Sequence, residues 1–407
     1  MDAFRPLRVA LLMERLVGFN HDVLMGVRDF AGPSRNWVCH FINPLVELLP
    51  QVAAWEPHGV LAFVGNAEIG EAIRALGVPF VDVAAWVHRP PWPRVGLDDR
   101  AIGRMAAEYF LDRGFEQFGF IGNTELAFSE WRLRGFTDGL RDAGYSVRTF
   151  AADPQRFPSA RAWTMGGVDG ELVSWVQALP KPVAVFADND ERALLASEAC
   201  QVAGVPVPDS VALLGVDDDP YLTGLGYPPI SSIATPARRL GYEAALSLDR
   251  LLHGFSVPEL PTRLGPVGVV TRRSTDRFAF GDPLVTQALR FISDRAADGI
   301  GVADVVRHVP AGRRTLERRF EAFVGRGILD EINRVRLEKA RLQIASSDLP
   351  LALVASQCGL GSASIKTPYP TKLSQSKISL SQTENIDPKT ENRPATMTAR
   401  PKLAERN

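Results

Sequence analysis

From Arg8 to about Thr275 the sequence alternates short β-branched or aromatic runs with longer stretches of helical periodicity, and no other feature restricts the fold as strongly. The runs are RVALLM, WVCHFIN, GVLAFVG, PFVDV, QFGFIGN, SVRTFAA, AVFADND and VALLGVDD. Between them apolar residues recur at helical spacing, as in Ile102, Met105, Ala106 and Tyr109, then Leu133, Phe136 and Leu140. Strands alternating with helices predict βαβ units and a parallel sheet. Gly114, Gly144 and Gly204 each follow such a helix, where a left-handed C-cap is expected. There are more strands than one small sheet needs, and the pieces fall into halves of comparable length around residues 111–116. Two lobes with a cleft between them are therefore expected, with the proline-rich HRPPWPRVGLDD, His88 to Asp99, as a rigid connection.

A chain of 407 residues has room for two or three cores. Its 46 Lys and Arg nearly cancel its 47 Asp and Glu, so overall charge selects no class of partner. Cys39, Cys200 and Cys358 are far apart and form no CxxC, so neither a disulfide framework nor a zinc cluster is indicated, and a reducing cytoplasm fits best. The apolar run Val9 to Met13 is too short for a signal-peptide core, and no segment approaches the roughly 20 apolar residues of a membrane span.

Beyond Thr275 the texture changes to amphipathic helices without strand signals, from Asp282 to Cys358. Val302, Val305, Val306 and Val309 make one buried helical face, and Pro310 to Gly312 break it. In RRTLERRFEAFV, Leu316, Phe320 and Phe323 are expected to point inward while Arg313, Arg314 and Arg318 lie on other faces. This is a helix-turn-helix pattern with an arginine-rich second helix. Arginine suits that position because its planar fork bonds guanine edges or phosphates, and a helix fits the major groove. A shift of 49 residues superposes the four valines on Leu351, Val354, Ala355 and Cys358. Between the two units a long helix carries the stripe Ile328, Ile332, Val335 and Leu342, with Arg334, Arg336, Lys339 and Arg341 on its polar side.

Two helix pairs joined by one long helix resemble the DNA-binding domain of AraC-type transcription regulators, on the residues GVADVVRHVPAGRRTLERRF and RVRLEKARLQIASSDLPLALVASQCGLGSAS. The resemblance implies that Arg313, Arg314, Thr315, Arg318 and Arg319 contact DNA. It stops at Ser364. Pro368 and Pro370 fall on Arg319 and Glu321 of the first unit, mid-helix, where each proline costs about 3 kcal/mol. The second recognition helix is thus expected to be missing, which leaves Leu351 and Val354 exposed, and the Pro-, Ser- and Thr-rich tail 365–407 is expected to be disordered.

In open α/β sheets ligands bind at the carboxyl ends of strands. Those ends carry Asp82, the triplet Asp188, Asn189 and Asp190, and the triplet Asp217, Asp218 and Asp219. Carboxylates and amides bond several hydroxyls at once, and aromatic faces cover the C–H side of a sugar ring; Phe19, Trp86, Phe128 and Trp131 all follow expected strands. An Asp after a strand is often the N-cap of the next helix. WRLRGFTDGL, FADNDERALL and LLGVDDDPY resemble the sugar-binding core of LacI-type regulators and periplasmic sugar-binding proteins. By that resemblance Arg132, Asp188 or Asn189, and Asp217 grip ligand hydroxyls, with Asp82 from the other lobe; Phe19 and Trp86, from their place after strands, are the candidate ring-facing aromatics.

The expected architecture is an α/β two-lobed, periplasmic-binding-protein-like sensor over 1–276, an all-α helix-turn-helix domain over 282–364 and the tail 365–407. The expected function is a sugar-responsive, DNA-binding regulator, with a pentose among the candidate effectors, a homodimer as the working form and RNA polymerase as a possible partner. The alternative is a cytoplasmic sugar-binding protein whose DNA binding is defective. No GxGxxG, GxSxG, GxxxxGK[ST] or HExxH is present, so neither an enzyme nor a cofactor or metal site is indicated.

Overall fold

The computed structural model describes residues 6–14, 18–32, 35–151, 170–257, 262–277, 281–346 and 349–360, all within one compact unit, Met1–Ser364. The expected second recognition helix and tail lie outside the described residues.

The first sheet contains β1 (Leu7–Leu12), β2 (Trp37–Ile42), β3 (Gly59–Ala62) and β4 (Phe80–Asp82), all parallel, in the order β2-β1-β3-β4. A second sheet contains β6 (Phe118–Gly122), β7 (Val147–Ala151), β8 (Val183–Ala187), β9 (Val211–Asp217), β10 (Ser231–Ala234) and β12 (Gly268–Val270). Its order is β12-β10-β9-β8-β6-β7, and β12 alone runs antiparallel. Near-continuous apolar strands such as Val183–Ala187 and Val211–Val216 are fully buried, as a sheet covered on both faces requires. All eight strands expected from the sequence form.

The helices of this α/β part are α1 (Gly18–Ala31), α2 (Leu49–Ala54), α3 (Ala67–Arg74), α4 (Asp99–Leu111), α5 (Ala127–Asp142), α6 (Gly170–Ala178), α7 (Asp190–Val202), α8 (Pro220–Leu225) and α9 (Ala237–Leu252). Gly114, Gly144 and Gly204 adopt φ of 77°, 86° and 66° after α4, α5 and α7, as their C-cap role demands.

The two lobes do not divide at residues 111–116. Helix α4 precedes that point yet packs on the second sheet, through Phe110 against Phe136 and Phe136 against Phe118. Helix α9 lies far beyond it yet packs against α1, β3 and β4 of the first sheet. The segment read as a rigid connection does join the two sheets, and it holds a short strand, β5 (Val95–Leu97), which pairs in parallel with β11 (Thr262–Leu264) where the chain crosses between them.

Each lobe has one helix pair in close approach, and glycine permits both. A Cβ on Gly26 of α1 would sit 1.8 Å from the Arg238 carbonyl oxygen, and one on Gly241 of α9 would sit 1.9 Å from that of Val23. In the other lobe a Cβ on Gly103 would meet the Arg132 oxygen at 2.0 Å, and one on Gly135 the Arg100 oxygen at 2.0 Å. The second pair fixes where Arg132 stands.

The C-terminal helices are α10 (Pro283–Arg295), α11 (Val302–His308), α12 (Arg313–Val324), α13 (Ile328–Ser346) and α14 (Leu351–Gln357). Helices α11 and α14 have equal length and differ by 49 positions at both ends, as the internal repeat predicts. Val305, Val309, Leu316, Phe320, Ile328 and Ile332 close one core with Val285, Leu289 and Ile292 of α10. Phe323 is 44% exposed, because the buried face of α12 runs through Leu316, Phe320 and Val324 and leaves Phe323 at its edge in the last turn. Leu351 is exposed as expected, but Val354 is buried, since Ala340 of α13 and Cys358 already cover it. Arg336, expected on a polar face, is buried, and its guanidinium donates to the carbonyls of Ala296 (2.8 Å) and Ile300 (2.6 Å).

Candidate functional site

A cavity of about 340 Å³ lies between the lobes at the carboxyl ends of β1, β3, β4, β8 and β9. One side brings Glu14, Phe19 and Asn20 after β1, Phe63 from the end of β3 and Trp86 after β4. The other brings Asp99 from the first turn of α4, Phe128 and Arg132 from α5, Asn189, Glu191 and Arg192 around the start of α7, and Asp217 from the end of β9.

Arg132 organises the polar wall. It is buried, its Nε donates to Asp99 Oδ1 at 2.9 Å, and its Nη1 donates to the Asp188 carbonyl oxygen. Its guanidinium also stands 4.9 Å from the Phe128 ring centroid. Burial works against its charge, but Asp99, Asp217 and Asp188 outweigh that and hold it protonated. Burial lifts Asp99 to about 6 even though Arg132 opposes the rise. Glu191 is raised to about 7, again by burial, with Arg192 opposing and Asp217 and Asp188 adding to it.

Asp217 occupies a left-handed backbone conformation, φ 104°, which is costly for a residue with a side chain and is typical of positions whose geometry serves a site. Its Oδ1 is buried without a hydrogen-bond donor. Burial raises its pKa, with Asp188 and Asp219 reinforcing the effect and Arg132 opposing it. A buried acceptor in want of a donor, beside a guanidinium held in place by carboxylates, is suited to bonding a neutral polyol.

Phe19, Trp86, Arg132, Asn189 and Asp217 thus converge as the sequence suggested. Asn189 is double-purposed: its Oδ1 caps α7 by accepting from the Arg192 N–H at 2.9 Å, which leaves the Nδ2 amide for the cavity. Two other expected residues do not line it. Asp82 is fully buried and its carboxylate is consumed by Arg94 (2.8 Å), the Trp92 indole (3.2 Å) and the N–H groups of Ala84 and Val64. Asp188 pairs with Arg192 at 3.1 Å and accepts from the Asn123 N–H, so it supports the wall from behind. Asp218 pairs with Arg272 and Asp219 caps α8. Trp131 points to a different cavity.

Sequence reasoning missed Glu14, Asn20, Asp99, Glu191 and Arg192. Asp99 had a signal, since it begins a helix after the apolar triplet Val95–Leu97; the others follow strands but lack any distinguishing pattern. Among the described residues no cluster of His, Cys, Asp and Glu is arranged to hold a metal ion, and no helix is long and apolar enough to cross a membrane.

Of the five candidate DNA-contact residues, Arg314, Thr315 and Arg318 are exposed on α12, with no ion pair to the two arginines among the described residues. Arg313 is exposed but pairs with Glu317 at 3.0 Å. Arg319 is exposed as well, but its guanidinium pairs at 2.9 Å with the buried Asp282, the N-cap of α10.

Residues 107–275 match the family model of the periplasmic binding protein-like domain. The xylose operon regulatory protein of Escherichia coli strain K12 is 28% identical over 363 residues, spanning 86% of this chain and 91% of that protein. Its counterpart from Haemophilus influenzae is 25% identical over 360 residues, 86% and 92% of the two chains. The solved structure of the xylose-binding transcription activator xylR superposes with a TM-score of 0.57 at 27% identity, covering 87% of this chain and 92% of that one.

Proposed function

We propose that this chain, a relative of the xylose operon regulatory proteins built on a periplasmic-binding-protein-like sensor, is a sugar-responsive transcription regulator whose effector is a neutral monosaccharide, with xylose or another pentose first among the candidates. Like those relatives it is not an enzyme. The observation that carries the reading is the buried, donor-seeking Asp217 Oδ1 next to the Asp99–Arg132 pair, in a cavity bounded by Phe19, Trp86 and Phe128. A volume of about 340 Å³ is at the small end of the ~300–1,000 Å³ usual for ligand sites and suits one sugar ring.

The mechanism follows from the placement of the wall residues on both lobes. A sugar bridging them favours the closed arrangement by its differential affinity for it. In a homodimer the change in the lobes repositions the helical units over adjacent DNA half-sites, where Arg314, Arg318 and Thr315 of α12 meet the major groove or its phosphates. Arg313 can join once released from Glu317. RNA polymerase is the downstream partner of such a regulator, and DNA as target places it in the cytoplasm.

A thermal-shift panel of pentoses, hexoses and their acids tests the reading. A pentose is expected to raise the melting temperature, and Asp217→Ala to abolish the rise. An equal shift in the variant would remove Asp217 from the site.

A second reading rests on Pro368 and Pro370, which interrupt the position of the second recognition helix. On it the chain is a sugar-binding protein with weak or absent specific DNA binding. A native-length footprint on an operator would refute it.

A further inference from the structure

Behind the sugar cavity is a second one, of about 520 Å³. Ala85, Gly96, Leu97 and Asp99 line both, so a single wall separates them. The second cavity is basic. Arg89 and Arg94 reach it from the segment between β4 and β5, Arg100 from α4, Arg134 from α5 and Arg263 from β11, with His88 beside them. The acidic residues in its lining are Asp99 and Glu130.

Local pairing does not use up this charge. Asp99 belongs to Arg132, Arg94 to the buried Asp82, Arg100 to Asp138, and Glu130 to Arg134, with His88 also within reach of it at 3.4 Å. Arg89 and Arg263 have no acidic partner among the described residues. Arg94 has a side chain only 9% exposed; its Nε and Nη1 are taken by Asp82 and the Val87 carbonyl, while its buried Nη2 has no acceptor. Buried guanidinium donors are nearly always matched, so this one marks an unfilled demand for an acceptor. Trp131 offers an apolar face to the same space, with Arg134 at 4.9 Å and Arg263 at 6.0 Å from its ring. Arg89 also holds φ at 44°, a conformation uncommon for a residue with a side chain.

Arg89, Arg100, Arg134 and Arg263 are exposed, and Arg94 is mostly buried. Here guanidiniums from five points of the chain converge on a concave space with an aromatic wall, a composition that matches a phosphoryl group attached to a small organic body. We propose that this cavity is a second effector site, for a small phosphorylated metabolite anchored by Arg89 and Arg263 and resting on Trp131. The shared wall at Asp99 couples it to the sugar cavity, so each ligand alters the affinity of the other by the same factor.

The test is calorimetric titration of the full chain with a pentose 5-phosphate, the parent pentose and inorganic phosphate. Titrations are repeated with the sugar cavity saturated by the parent pentose and in Asp217→Ala. The phosphate ester is expected to bind in all three settings, to weaken with salt, to be displaced by inorganic phosphate, and to lose at least tenfold in affinity in Arg89→Ala/Arg263→Ala. The Arg89→Lys/Arg263→Lys variant should keep most of it. The inference is overturned if the ester does not bind wild type at millimolar concentration, or if filling the sugar cavity abolishes binding. It is equally overturned if the double alanine variant binds as well as wild type, or if a DNA duplex of random sequence displaces the ester, which would assign the arginines to a nucleic-acid surface. Sugar binding itself does not depend on these arginines, so failure here leaves the sugar reading intact.

Discussion

Arg326, in the turn between α12 and α13, donates from Nη1 to Asp112 Oδ1 at 3.1 Å, and so ties the helical unit to the C-cap of α4 in the sensor. Its Nε bonds Glu331 at 2.5 Å, and Arg334 brackets the same glutamate at 2.8 Å. Burial alone would raise Glu331, yet Arg334 and Arg326 overcome it and hold the carboxyl below the ordinary range. Arg341 adds a bond to the Pro266 carbonyl beside β12. Helix α4 also begins at Asp99 in the wall of the cavity between the lobes, so one helix connects that wall to the helical unit.

Asp112→Asn should therefore cost little stability, under about 1 kcal/mol for a partly exposed pair. It should nevertheless reduce the difference in DNA affinity between sugar-bound and sugar-free protein. Operator titrations with and without sugar measure this; an undiminished difference would show that coupling runs by another route.

The raised carboxyls Glu191 and Asp99 give a signed pH dependence. Their folded values, about 7 and about 6, exceed the ordinary 4.5 and 3.8, so the folded chain holds protons that the unfolded chain has released. Their contribution to stability is complete below pH 4 and is lost as pH rises through 7. Glu191→Gln should leave the melting temperature nearly unchanged at pH 4 and raise stability by roughly 3 kcal/mol at pH 8. Sugar hydroxyls donating to these groups favour the ionised form. Calorimetry at pH 6.5 in buffers of different ionisation enthalpy should then report proton release on binding.

Asp217→Asn should separate stability from function. Asparagine tolerates positive φ as well as aspartate does and removes a buried, donor-less charge. The sugar-free variant should melt higher at pH 8 and show a much smaller sugar-induced shift. A lower melting temperature would mean that Asp217 is a structural anion serving Arg132.

How far the sequence could be read is explained by which interactions are local. Strands and helices were legible because hydrophobic period is a local property, and the 49-residue repeat placed α11 and α14 correctly. β5 and β11 were not, since each is three residues long and exists through its pairing with the other, 167 positions away. The interleaving of the lobes was equally hidden: it depends on α1 meeting α9 at Gly26 and Gly241, and a lone glycine in a helical pattern does not name its partner. In the site, Asp82, Asp188 and Asp217 look alike as strand-end acidic residues. Arg94, Arg192 and Trp92 decide which of them are consumed inside the fold, and none of these pairings follows from spacing.

The arginines of α12 divide by the same criterion, and this gives the sharpest test of the proposed DNA surface. Arg314 and Arg318 are exposed and carry no ion pair among the described residues, so losing them should hardly change folding. Each phosphate contact removed should weaken DNA binding at all sequences and lower the slope of log affinity against log salt by nearly one, whereas a base contact removed should relax specificity. Arg319→Ala should behave differently. It leaves Asp282 buried at the N-cap of α10 without its cation, so the helical unit should lose stability, by roughly 1–3 kcal/mol, before any effect on DNA is measured. Chemical denaturation followed by a salt series of DNA titrations distinguishes the two. If Arg314→Ala/Arg318→Ala binds DNA like wild type at every salt concentration, α12 is not the contact helix and its arginines serve only as a solvated face.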